Sequence, residues 1–230
     1  GFILALVYGY INAKRYDINL DRMLDVVLVT VPAAILCART YYVLFDGEKL
    51  ESFGDFFGFG KSSGVSGLAI YGGIIFGGIT ILVVAKVKKM SGKRLLKIID
   101  AVSPGVMIAQ AIGRWGNFFN GEAYGGLVEK GSALYFMRMG LYPNDLQSGM
   151  AYVHPTFLYE SLWNLVGFGL INLFWKRKKF NGEISLWYAT WYGLGRTLIE
   201  GLRADSLYWG PFRVSQILAA VTCLAATIIL

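Results

Sequence analysis

The sequence predicts an all-α polytopic integral membrane protein with seven transmembrane helices. Three observations carry this expectation. Of its 230 residues 55% are hydrophobic and only 16% are charged, whereas a soluble domain carries roughly a quarter charged residues. Mean hydropathy is +0.50. The apolar residues also gather into runs that approach the ~20 residues a helix needs to cross ~30 Å of hydrocarbon.

The first run, 1–12, is too short to cross alone. The chain opens inside this helix, so an N-terminal piece is expected ahead of Gly1. With no basic start and no cleavage site, it does not read as a signal peptide. The second run is 23–44 and the third 68–85. The fourth, 95–112, is interrupted by Asp100, Pro104 and Gln110. Pro155 opens the fifth, 156–175, and proline suits a first helical turn. The sixth is 184–199 and the last 212–230. Two longer segments remain within a single transmembrane domain, 1–230. Segment 45–67 sets Asp46, Glu48, Glu51 and Asp55 among glycines and phenylalanines and reads as an extracytoplasmic, interfacial arm. Segment 114–153 is too long for a plain connector and reads as a small extracytoplasmic head. No internal repeat is evident, which argues against an inverted-repeat transporter.

Charge sets the expected orientation. The net charge is +7. Thirteen of the 22 Lys and Arg residues fall on alternate connections: Lys14, Arg15 and Arg22; then Lys86, Lys88, Lys89, Lys93, Arg94 and Lys97; then Lys176 to Lys179. The positive-inside rule places these in the cytoplasm, with the N-terminus outside and the C-terminus inside. Basic helix ends of this kind remove the case for a nucleic-acid partner. Two cysteines exclude a disulfide scaffold, and one histidine excludes multi-histidine metal motifs. Cys37 and Cys223 sit in apolar helices without a nearby base and read as small core residues.

Four segments carry polar chemistry at membrane depth. In GRWGNFFNGEAYG, 113–125, Arg114 offers a planar fork for a phosphate, Asn117 and Asn120 can orient oxygens, and Glu122 can hold an arginine or take a proton. The other reading is an interfacial turn anchored by Trp115 and Phe118. In WYGLGRTLIEGLR, 191–203, helical spacing puts Tyr192, Arg196, Glu200 and Arg203 on one face. That is two arginines with one adjacent acid, a positive surplus that suits an anion; an Arg196–Glu200 lock between helices is the structural reading. In GLAIYGGIIFGG, 67–78, Gly72, Gly73, Gly77 and Gly78 make one helix thin. They serve either close helix packing or an acyl chain with Tyr71 at the cavity mouth. In HPTFLYESLWN, 154–164, His154 stands at a helix start, and Glu160 and Asn164 can share one polar face.

These segments, in this order and over nearly the whole chain, resemble the bacterial phosphatidylglycerol–prolipoprotein diacylglyceryl transferases. GRWGNFFNGEAYG is similar to the family's signature, IYGGIIFGG to its glycine segment, HPTFLYESLWN to its HP-x-x-LYE segment, and YGLGRTLIEGLRAD to its YG-x-x-R-x-x-x-E-x-x-R segment. The resemblance implies a transferase that moves the sn-1,2-diacylglyceryl group of phosphatidylglycerol onto the lipobox cysteine of a prolipoprotein signal peptide. A thioether forms and glycerol 1-phosphate leaves. It implies a multi-pass protein of the bacterial cell membrane with its active site toward the outer leaflet. The lipid-phosphate arginine of the signature falls on Arg114, its asparagine on Asn117, its acid on Glu122 and its final glycine on Gly125; the later arginines fall on Arg196 and Arg203 with Glu200 between them. Tyr71 stands where the family often has histidine, a proposed base, and the family's early tyrosine would precede Gly1.

The residue chemistry suits this reaction. A thiolate is the nucleophile, arginines stabilise charge on the departing phosphate, and no metal or soluble cofactor is expected. The catalytic set is Arg114, Arg196, Glu200, Glu122 and Tyr71. Asn117, Asn120, Gly125, Gly72, Gly73, Arg203, Tyr192 and His154 are expected to bind substrate. The proton acceptor stays open among Tyr71, Glu122, Glu200 and the lipid phosphate. On the residues alone, a transporter or channel for an anionic solute, built on Arg196 and Arg203, is the competing function.

Overall fold

The structure, a computed structural model, describes residues 1–45, 56, 70–141, 150–204, 206 and 208–230. Seven α-helices dominate the described residues: α1 (Phe2–Arg15), α2 (Leu20–Phe45), α3 (Ile70–Val87), α4 (Gly92–Asn120), α5 (Thr156–Phe174), α6 (Glu183–Glu200) and α7 (Val214–Ile229). Each apolar run expected from the sequence falls on one of them. Leu20–Leu44, Gly92–Asn120 and Thr156–Arg177 are long and apolar enough to cross a bilayer; Gly72–Val87 and Val214–Ile229 are shorter apolar helices. The molecule is a mostly helical membrane protein. Nearly all of the expected arm at 45–67, together with 142–149 of the expected head, lies outside the described residues.

The chain divides into two compact units, one of Gly1–Asn12 with Leu96–Leu230 and the other of Ala13–Leu95. In the second unit α2 lies against α3. A Cβ on Gly72 would come within 2.6 Å of the Tyr41 Cβ, and one on Gly77 within 3.3 Å of the Ala34 Cβ. Close packing of small residues, one of the two readings of this glycine segment, is therefore what Gly72 and Gly77 do. Gly73 makes ordinary contact with Ala34 and Ala38, while Gly78 faces open space. Asn19 caps α2, its Oδ1 accepting the Arg22 N–H at 2.9 Å. Arg39 is buried in α2 and donates from Nε to the Phe56 carbonyl at 3.0 Å.

In the first unit α1 packs on α4 and α5. A Cβ on Gly105 would lie 2.9 Å from the Ala5 carbonyl oxygen, and the Tyr8 hydroxyl donates to Asn172 Oδ1 at 2.8 Å. Helices α5 and α6 are clasped by two tryptophans. Trp163 and Trp191 stack with centroids 4.5 Å apart. Each indole N–H donates to the other's carbonyl, at 2.9 and 2.8 Å. Gly195 and Gly167 make room for the rings: a Cβ at either would fall within 2.3 Å of the opposite indole. Gly193 likewise lets α7 approach, with the Ala219 carbonyl 2.8 Å from where its Cβ would be. At the other end of α6 the fully buried Asp100 accepts from the Gly182 and Ser185 N–H groups at 2.8 and 3.0 Å. A carboxylate there satisfies donors that a helix start leaves without internal partners.

Helix α4 runs past 112 to Asn120. The head expected from 114 thus begins as helix, and the segment with Trp115 and Phe118, for which an interfacial turn was the other reading, is helical to Asn120. Trp115 holds this extension, its Nε1 donating to Ser161 Oγ on α5 at 3.3 Å and its ring meeting Phe157 edge-on. After α4 the chain turns at Gly121 and Ala123, both with positive φ. The hairpin of β1 (Met139–Leu141) and β2 (Ala151–Val153) follows, antiparallel. A second small hairpin, β3 (Tyr208–Trp209) with β4 (Phe212–Arg213), leads into α7.

Candidate active site

The end of α4, the start of α5 and the end of α6 converge in the first unit. Around them a backbone mesh closes one end of the bundle. The Gly125 N–H donates to the His154 carbonyl at 2.9 Å, His154 N–H to Gly126 at 3.0 Å, and Gly126 N–H to Leu202 at 2.9 Å. Gly125 thereby bridges to Arg203. No side chain fits there, since a Cβ would lie 2.6 Å from the His154 Cβ and 2.8 Å from the Leu202 carbonyl. Glycine is needed for close backbone approach, so Gly125 shapes the mesh. The Thr156 hydroxyl ties it to α5 by donating to the Ala123 carbonyl.

Inside the mesh lies a continuous chain of charge. Arg114 Nη2 is 2.7 Å from Glu160 Oε2. The other oxygen of Glu160 accepts from Arg196 Nη1 at 2.6 Å. Arg196 Nη2 is 2.7 Å from Glu200 Oε2, and Arg203 Nε is 4.0 Å from that same oxygen. Beyond Arg114 the chain continues through neutral amides: Arg114 Nη1 donates to Asn117 Oδ1 at 3.3 Å, and Asn117 and Asn120 both donate to Glu122 Oε1, at 3.0 and 3.1 Å. The carboxylates of Glu160 and Glu200 are buried, with side chains 5% and 2% exposed. The arginines keep 12–18% exposure, Arg114 the most. Glu122 is exposed.

Arg203 stays beside Glu200, as its spacing implies: α6 ends at Glu200, but Gly201 keeps helical backbone angles and the Arg203 N–H donates to the Glu200 carbonyl at 3.2 Å, so the three-residue offset carries the guanidinium to that acid. One expectation changes here: the arginines do not share a single acid. Glu160 supplies a second, and it is the residue missed as a site member. Its signal was present in the sequence, as an intramembrane carboxylate one turn before Asn164. Asn164 is buried and donates back to the Glu160 carbonyl at 2.9 Å. Three guanidinium groups against two carboxylates in direct contact still leave a surplus of positive charge. Arg213 adds to it, donating from Nη1 to the Glu200 carbonyl.

The structure therefore brings together Arg114, Asn117, Asn120, Glu122, Gly125, His154, Arg196, Glu200 and Arg203 in one unit. His154 contributes backbone to the mesh, and its Nδ1 lies 3.2 Å from the Tyr159 hydroxyl. Tyr192 stacks on Tyr188, one turn back along α6. Gly72 and Gly73 belong to the second unit, and the side chain of Tyr71 lies outside the described residues.

Residues 1–230 match the family model described as prolipoprotein diacylglyceryl transferase. Three curated relatives carry the name phosphatidylglycerol–prolipoprotein diacylglyceryl transferase. The one from Streptococcus suis is 44% identical over 232 residues, covering 99% of this chain and 82% of the relative. The Clostridium novyi protein is 39% identical over 238 residues, covering 100% of this chain and 86% of the relative. The Streptococcus pneumoniae protein is 45% identical over 226 residues, covering 96% and 81%.

Proposed function

The chain belongs to the prolipoprotein diacylglyceryl transferase family, and from that membership we propose how its arginine–carboxylate chain performs the transfer. The protein is a membrane transferase that moves the diacylglyceryl group of phosphatidylglycerol to prolipoproteins. The transporter reading is not favoured by that membership. The observation that carries the mechanism is the buried link Arg114–Glu160–Arg196–Glu200, formed from three helices.

The phosphate of phosphatidylglycerol docks against Arg114, whose guanidinium is the most exposed of the three. Glu160 holds Arg114 and Arg196 a fixed distance apart, so their donors are aimed before the lipid arrives. Such preorganised donors stabilise charge as it develops, at little reorganisation cost. The substrate's thiolate sulfur attacks the glycerol carbon that bears the phosphate. A C–S bond forms as the C–O bond breaks, and the electron pair leaves on the phosphate oxygen of glycerol 1-phosphate, whose negative charge the arginines stabilise. No cysteine of the enzyme is required, because the nucleophile comes with the peptide.

The thiol must lose its proton. Glu200 is buried against Arg196, whereas Glu122 is exposed and takes two amide donors on one oxygen. That leaves Glu122, linked to the phosphate-binding Arg114 through Asn117, as the exposed carboxylate of the arginine–carboxylate chain, and we assign it the proton. The site lies toward the outer leaflet of the bacterial cell membrane in a seven-span, N-out and C-in arrangement, an orientation supported by the alternating basic connections. The experiment is the purified protein with phosphatidylglycerol and a lipobox peptide, comparing Glu122→Gln with wild type across pH. A Glu122→Gln protein that keeps the full wild-type rate near neutrality removes Glu122 from the proton path.

A further inference from the structure

At the opposite ends of α5 and α6 from Glu160 and Arg196, a cavity of about 320 Å³ is lined by Leu170, Ile171, Trp187 and Trp191 and borders Arg177 and Lys179. The transferase chemistry uses none of these side chains. Arg177 lies 17 residues after Glu160, about 25 Å along a helix axis, which is close to the thickness of the hydrocarbon layer. The cavity mouth is therefore at the other membrane face from the arginine–carboxylate chain.

Its charge is mainly positive, with Arg177, Lys178 and Lys179 lining it against one acid, Glu183. The nearby acids are engaged: Asp100 takes Lys178 at 3.3 Å along with two backbone N–H groups. Glu183 Oε2 accepts the backbone N–H of Phe180 at 3.2 Å and that of Lys179. Arg177 and Lys179 carry no ion pair among the described residues, and both are exposed. Arg177 stands over the Phe174 ring at 5.6 Å, so its charge is held at the apolar rim. An apolar slot with two cations at its mouth, unpaired among the described residues, matches an acyl chain that ends in an anionic headgroup. A signal peptide is a poorer match, because its leading region is itself basic.

We propose that this cleft binds an anionic phospholipid of the leaflet opposite the reaction site. One acyl chain lies along Ile171 and Trp187, and the phosphate sits between Arg177 and Lys179. It is a lipid site separate from the one that holds the reacting phosphatidylglycerol.

Trp187 is 48% exposed and serves as the reporter. The protein is reconstituted into phosphatidylcholine vesicles that contain either brominated phosphatidylserine or brominated phosphatidylcholine at equal fraction. Bromine quenches indole fluorescence on contact, and phosphatidylserine is anionic without being the transferase substrate. Two basic side chains should favour the anionic lipid about tenfold or more. The expected result is saturable extra quenching by brominated phosphatidylserine, lost in Arg177→Gln/Lys179→Gln and largely lost in Trp187→Phe. Equal quenching by the two lipids overturns the proposal, as does an excess that survives in either variant. The Trp187→Phe arm keeps the test decisive if the charge variant fails to fold.

Discussion

Glu160 touches Arg114 with one oxygen and Arg196 with the other, so a single carboxylate sets the spacing of two phosphate-binding groups. Removing one partner of a buried ion pair costs about 3–5 kcal/mol. Glu160→Gln should therefore lower the unfolding temperature and reduce transfer together, as thermal melts and initial rates would register; unchanged stability would show that the pairing is not the organising contact. Arg114→Lys is expected to separate these effects. Charge is kept, but an ammonium cannot bridge two oxygens as a guanidinium does. The loss of one charge-assisted bond, about 1.5–3 kcal/mol, corresponds to roughly ten- to more than a hundredfold in rate, with little change in stability. Tyr71 offers the contrast. A phenol with an ordinary pKa near ~10 is a weak base at neutral pH. A hydroxyl that only donates a hydrogen bond contributes about 0.5–1.5 kcal/mol. Tyr71→Phe should keep measurable activity, within roughly tenfold of wild type, while Arg196→Gln falls well below it. A Tyr71→Phe protein with no turnover at any pH would return the base role to Tyr71.

The tryptophan clasp joins the two helices that present Glu160 and Arg196. Gly195 leaves the space that the Trp163 indole occupies. Gly195→Val should force the helices apart, at about 1–3 kcal/mol or more for overpacking, and reduce activity through the displaced Arg196. A variant with wild-type stability and rate would show that the clasp is dispensable. Much at this scale was legible in the sequence, because seven apolar runs leave little choice about where helices lie. The end of α4 was not legible. Gly113 and Gly116 carry the local signal of a turn, and the contacts that tie the segment to α5, Arg114 with Glu160, Trp115 with Ser161 and Phe157, and Phe118 with Phe157, are tertiary. Arg203 was legible, since Gly201 keeps helical backbone angles and the three-residue offset to Glu200 persists past the end of α6. Helical spacing paired Arg196 with Glu200 correctly, but it compares residues only within one helix. The role of Glu160 depends on α5 bringing its start between the ends of α4 and α6.

Across the whole molecule, basic residues cluster on the connections that follow α1, α3 and α5. An N-out, C-in protein places all three in the cytoplasm. A cysteine introduced near Lys178 should then resist an impermeant thiol reagent added to intact cells and react once the cells are opened, whereas labelling from outside would reverse the orientation and the assigned leaflet. The linked arginines of α4 and α6 drive diacylglyceryl transfer from phosphatidylglycerol to a peptide thiol. Mass spectrometry of a lipobox peptide incubated with the purified protein and labelled phosphatidylglycerol tests this, run for wild type and for well-folded Arg114→Lys and Arg196→Gln. The expected result is one diacylglyceryl group per cysteine and one glycerol 1-phosphate released per peptide modified, with both variants at least about tenfold slower. Modification at the wild-type rate in both arginine variants would contradict it.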